Sequence, residues 1–126
     1  MDTIVHREGK VLLGWRTIAP YRNVWALIGG RMYYGESFRD TSVRNCRESG
    51  LRIRGPQYLG VFPVKFPNGR HDLSICIAAR HASGDPKPTR ELAKYVWVAE
   101  DQLREVDPIG GNYLKMLRTW FGSRKK

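Results

Sequence analysis

The sequence predicts an α/β fold, a mixed β-sheet covered on both faces by helices. Three observations carry that expectation. Short β-type runs lie both before and after the stretch 29–51. That stretch begins with Gly29 and Gly30, turns helical from Ser37 and stops at Gly50. A second helical run closes the chain, so strands flank one helix and another is left to pack against the sheet.

At 126 residues the chain is expected to form one domain, residues 1–126, with a real core and no room for a second. Hydrophobic residues make up 41% and charged residues 27%, the balance of an ordinary soluble globular chain. No apolar run approaches the roughly 20 residues that span a bilayer, and no charged-then-apolar leader opens the chain. A membrane role is therefore not expected. The two cysteines, Cys46 and Cys76, read as reduced core residues of a cytoplasmic protein. The formal charge of +10 attracts polyanions. Its lysines and arginines are dispersed apart from Arg124, Lys125 and Lys126, which favours a phosphate-bearing small molecule over nucleic acid.

Residues 4–6 and 11–16 read as two strands joined by the hairpin turn Arg7-Glu8-Gly9-Lys10. Residues 17–23, with Pro20, form a polar loop, and 24–28 a compact apolar strand leading to the glycine pair. In the helix that follows, Phe38, Ser42 and Cys46 share one face, with Thr41 beside them. Arg44 and Glu48, four apart on another face, can pair. Residues 51–66 form one or two strands, broken at Gly55-Pro56. Pro67-Asn68-Gly69-Arg70 signals a tight turn into a strand over 72–80 that is buried on both faces. A last strand over 95–98, a short helix over 99–106 and a terminal helix over 112–121 complete the chain. The terminal helix packs through Tyr113, Leu114, Leu117, Trp120 and Phe121.

The spacing in the central stretch is particular. Gly30 is followed by five residues and Glu36, then by seven residues and Arg44. This resembles the signature box of the Nudix hydrolases, Gly-x5-Glu-x7-Arg-Glu-U-x-Glu-Glu-x-Gly-U, where U is bulky and apolar. After Arg44 the chain departs, running Asn45-Cys46-Arg47-Glu48-Ser49-Gly50-Leu51, one residue short. One of the three usual metal-binding carboxylates remains. Glu48 matches the first member of the Glu-Glu pair counted forward, or the second counted back from Gly50. The family's α/β/α sandwich is the fold expected independently from the order of elements.

Further matches spread over nearly the whole chain. Leu12-Leu13-Gly14-Trp15-Arg16-Thr17 before Pro20, then Trp25 and Gly29-Gly30-Arg31, are similar to the GDP-mannose mannosyl hydrolase branch. So are Gln57-Tyr58-Leu59-Gly60-Val61 and Tyr95-Val96-Trp97. That resemblance implies Mg²⁺, with Mn²⁺ as a substitute, held by the Gly29 carbonyl, Glu48 and Glu91. It implies catalytic roles for Arg16, Asp2 and Glu91, with the diphosphate on Arg16 and on Arg31. Tyr33 and Tyr34 could stack on a base or sugar, and Glu36 with Arg44 would brace loop against helix. The branch has a histidine base where this chain has Leu92, so the base is unassigned. The implied partner is a small nucleoside diphosphate derivative, cleaved at the sugar C1–O bond, in a protein that could form a homodimer. Two alternatives stay open: a pyrophosphohydrolase attacking phosphorus, or an inactive domain that binds nucleotide or RNA.

Overall fold

A computed structural model describes residues 1–19 and 22–125, so Pro20 of the polar loop and Lys126 of the basic tail lie outside the described residues. The strands are β1 (Asp2–Arg7), β2 (Lys10–Arg16), β3 (Val24–Ala26), β4 (Ile28–Gly29), β5 (Arg52–Lys65), β6 (His71–Ser83) and β7 (Leu92–Ala99). The helices are α1 (Phe38–Glu48) and α2 (Gly111–Ser123). All the strands form one sheet in the order β3-β2-β1-β6-β5, with β4 also on β1 and β7 also on β2. The β1–β6 pairing is parallel and the others antiparallel, which makes the sheet mixed.

Residue alternation along β1 shows how the layers stack. Successive side chains of a strand point to opposite faces. Thr3 Oγ1 lies 3.0 Å from Ser42 Oγ of α1, while the His6 ring meets Trp120 of α2 at 4.8 Å between centroids. One helix therefore covers the odd-numbered face of β1 and the other the even-numbered face. Asp2, Ile4 and His6 belong to the α2 side.

Local chemistry sets the element ends. Between β1 and β2, Glu8 and Gly9 both have positive φ, 51° and 77°, as a two-residue hairpin turn of the primed type requires. Ser37 and Asp40 form a reciprocal capping box at the start of α1. At its other end Gly50, φ 83°, donates its N–H to the Arg47 carbonyl, and Leu51 donates to that of Cys46. That is the paired closure a left-handed glycine permits.

Several elements differ from expectation. The strand over 24–28 is split, because β3 pairs with β2 whereas β4 pairs with β1. The split matters to the site: it sets Gly29 opposite Asp2. Phe38 is not on the buried face of α1; it is 44% exposed and stacks on Tyr58, while Asn45 is buried instead. β5 runs unbroken through Gly55-Pro56, since register shifts there absorb the irregularity and an edge strand tolerates proline. β6 is buried at Ser74, Cys76, Ile77 and Ala78, but Leu73 is 71% exposed. Residues 99–106 contain one 3₁₀ turn, Glu100–Gln102, not a helix. In α2, Met116 joins the core where Leu114 was expected.

Both cysteines are free and buried, and burial pushes each thiol up to about 12. Among the described residues no helix is long and apolar enough to cross a membrane.

Candidate active site

The glycine pair sits where the two layers meet. Gly30 donates its N–H to the Met1 carbonyl. Side chains at this turn would collide with both layers. A Cβ on Gly29 would lie 2.5 Å from Asp2 Oδ1, on the α2 side, and one on Gly30 would lie 2.5 Å from Asn45 Oδ1, on α1. Close approach, not a positive φ, is what these two positions need.

Arg44 braces the loop that follows. Its Nε and Nη2 donate to the two oxygens of Glu36 at 2.8 and 2.9 Å, and Nη2 also donates to the Arg31 carbonyl at 2.6 Å. Nη1 donates to Glu48 Oε1 at 3.1 Å and to Asn45 Oδ1 at 3.3 Å. The Tyr33 ring lies 3.6 Å below the guanidinium. The bidentate pair, helped by the Tyr33 N–H and Thr41, lowers the Glu36 carboxyl to about 2. Loop 31–36 is thereby tied to α1 by one side chain.

On the α2 side of the turn a cavity of about 330 Å³ opens, and Asp2, Arg16, Gly29, Arg31 and Glu91 all line it. Arg16 Nε and Nη2 donate to the carbonyls of Ile18 and Ala19, at 3.1 and 3.0 Å, which leaves Nη1 facing Glu91 at 3.6 Å. Asp2 Oδ2 accepts the Ser74 hydroxyl at 2.6 Å. Burial raises the Asp2 pKa above its ordinary 3.8; Ser74, the N-terminal ammonium and Arg16 oppose that, and the Glu91 charge adds to it.

The remaining expected residues stand elsewhere. Glu48 does not line the cavity; its side chain is 59% exposed and rests on Arg44. Tyr33 is occupied beneath Arg44, and Tyr34 is fully solvent-exposed. Neither lines the cavity. Among the described residues no group of three histidine, cysteine, aspartate or glutamate side chains is gathered for a metal ion.

The cavity also contains residues that sequence reasoning passed over. Ser74 fixes Asp2, and Arg70 pairs with Asp72 at 2.7 Å on the same wall. Asn112, near the start of α2, brings a buried Oδ1 that has no hydrogen-bond partner. On the α1 side, Asn45 Nδ2 is likewise buried and unpartnered. Single polar residues far apart in sequence carry no spacing signal. Asn45 alone carried a sequence signal, as a neutral residue directly after Arg44 where the box has an acid.

A mixed sheet between two helices, with a glycine turn braced by a Glu–Arg pair beside a cavity of mixed charge, defines the class. The sequence matches the NUDIX domain over residues 2–119, and the chain belongs to that family. It is 39% identical over 74 residues to the Nudix hydrolase YvcI of Bacillus subtilis, covering 58% of this chain and 45% of that protein. It is 32% identical over 90 residues to an ADP-ribose pyrophosphatase of Methanocaldococcus jannaschii, covering 69% and 53% respectively. These matches span about half the length of either relative. The fold is similar to the NUDIX domain of Shewanella oneidensis NrtR complexed with ADP ribose, with TM-score 0.80, 18% identity and coverage of 98% of this chain and 86% of that one.

Proposed function

We propose that this chain hydrolyses a nucleoside diphosphate-linked substrate of the nucleotide-sugar kind, with one divalent cation, at the sugar C1–O bond. The observation that carries this reading is the single cavity beside Gly29, where Arg16 and Arg31 meet Asp2 and Glu91. Two guanidinium groups suit a diphosphate, and carboxylates beside them suit a hydrated cation and a proton acceptor. The nucleoside diphosphate part of the substrate draws support from the relative named for ADP-ribose and from the NrtR complex; the C1 linkage rests on the likeness to the mannosyl hydrolase branch, because ADP-ribose carries its ribose through C5.

The donor set fits one cation and not a cluster. Mg²⁺ retains waters and takes one or two carboxylates plus substrate oxygens. Here Glu91 and the Gly29 carbonyl would hold it, Mn²⁺ serving equally. Glu48 would join by leaving Arg44, to which an exposed i,i+4 pair binds it weakly. Asn45 and Ser49, where the box has acids, cannot supply further charge. When bound, such a cation neutralises the diphosphate and makes it a better leaving group.

The chain's own residues do the rest. Arg16 is held rigid by two backbone carbonyls, so its free edge meets the diphosphate without further ordering. Arg31 binds a second phosphate oxygen. Asp2 accepts a proton from water as the water oxygen bonds to C1 and the C1–O bond breaks, its electron pair leaving with the diphosphate. A carboxyl with a raised pKa suits a general base. Asn112 Oδ1 offers an acceptor for a sugar hydroxyl.

A second reading, attack at phosphorus, draws on the name of the pyrophosphatase relative. Incubation with GDP-mannose or a uridine diphosphate hexose, both linked to the diphosphate through sugar C1, and Mg²⁺, with products separated by chromatography, distinguishes the two. Nucleoside diphosphate plus free sugar is the expected result. Nucleoside monophosphate plus sugar phosphate would establish the second reading, and binding without turnover of either substrate would contradict both.

A further inference from the structure

A second cavity, about 520 Å³, opens on the same α2 side of the sheet but at the other end of that helix. The first is lined by Asn112 and Tyr113, the second by Trp120, Ser123 and Arg124. Eight residues of helix put about 12 Å between them.

Its floor is a row of basic side chains laid across three adjacent strands. His6 of β1 is in register with Arg80 of β6, and Arg80 with Arg54 of β5. Directly opposed residues on one face have Cβ atoms roughly 5 Å apart, and like charges so placed are destabilising. Arg124 closes over the row from α2, its guanidinium 5.7 Å from the Trp120 ring centroid. Among the described residues no carboxylate lines this cavity and none of Arg54, Arg80 and Arg124 pairs with one, although Glu8 lines an adjoining cavity that shares His6, Arg80 and Arg124. The His6 pKa is lowered by burial and then by the charges of Arg124 and Arg80. Three solvent-exposed guanidiniums without a carboxylate partner thus converge with a histidine on one concave site. Such local conflicts concentrate at binding sites.

We propose that this cavity is a second anion site, separate from the catalytic one, for a ligand carrying two or more phosphate groups. Opposed arginines on neighbouring strands match phosphates one linkage apart, and their planar donors suit phosphate oxygens. Free polyphosphate and the backbone of single-stranded nucleic acid share this chemistry. The site does not rest on the catalytic reading, because it has no lining residue in common with the first cavity.

The test is calorimetric titration with inorganic tripolyphosphate, and separately with a single-stranded oligoribonucleotide, in the absence of divalent metal. Arg80→Gln and Arg124→Gln are each expected to weaken binding of tripolyphosphate about tenfold. Arg104→Gln, which removes the same charge elsewhere on the surface, is expected to change it less than about twofold. Parallel loss of oligonucleotide binding in Arg80→Gln supports the site with a nucleic-acid backbone as its source; loss for tripolyphosphate alone supports it with a free polyphosphate. Removing one of two opposed charges should leave Arg80→Gln at least as stable to heat as the parent. Equal weakening by Arg104→Gln, or tripolyphosphate binding unchanged in both Arg80→Gln and Arg124→Gln, would overturn the proposal.

Discussion

Arg16→Ala is expected to lower kcat/KM for a nucleoside diphosphate sugar by about a hundredfold or more, while the chain stays folded. The expectation follows from how the side chain is held. Two of its nitrogens are committed to the Ile18 and Ala19 carbonyls, and the third faces Glu91 across the cavity. A donor fixed before substrate arrives stabilises developing charge without reorganising. Arg16→Lys keeps a charge but loses both carbonyl bonds, so it should recover little of the rate. Steady-state kinetics on both variants, with circular dichroism to verify folding, checks this. A loss confined to KM would reduce Arg16 to a binding role; unchanged kinetics would remove it from the site.

Asp2→Asn is expected to lower kcat by about a hundredfold or more and, at neutral pH, to raise thermal stability. The two effects share one origin. Burial raises the native pKa of Asp2 above its ordinary 3.8, so the native state holds that proton more tightly than the unfolded chain does. Stability from the protonated group is complete below pH 3.8 and declines as pH rises through the raised native value. At pH 7 the ionised, desolvated carboxylate is therefore a cost, which asparagine removes while keeping an oxygen for the Ser74 hydroxyl. The gain in Tm should vanish below pH 3.8. A variant that loses both activity and stability at pH 7 would show that Asp2 holds the fold together and is not the base.

The architecture was legible because its signals are local. Alternating strands, a helix stopped by Gly50 and the glycine pair each leave a mark within a few residues. The departures arise where distant partners decide. The strand over 24–28 splits because its halves find different neighbours, and residues 99–106 satisfy only a single 3₁₀ turn. At the site, a family resemblance pointed to Asp2, Arg16, Arg31 and Glu91, which share one cavity. The i,i+4 spacing offered Arg44 as a partner for Glu48, and the two pair; the place of Tyr33 beneath the same guanidinium, and the exposure of Tyr34, had no such signal. Ser74 and Asn112 were invisible for a simpler reason: a lone polar residue means nothing until the fold brings it to a partner or leaves it without one.

The proposed reaction requires one cation, which Glu91 and the Gly29 carbonyl would hold beside a diphosphate. Titration with Mn²⁺ in the presence of ADP, followed by electron paramagnetic resonance, counts the ions and reads their affinity. One Mn²⁺ per chain is the result the account predicts, with Glu91→Gln weakening it about tenfold or more and Glu48→Gln weakening it less. Two or more ions per chain, or an affinity indifferent to Glu91→Gln, would contradict it.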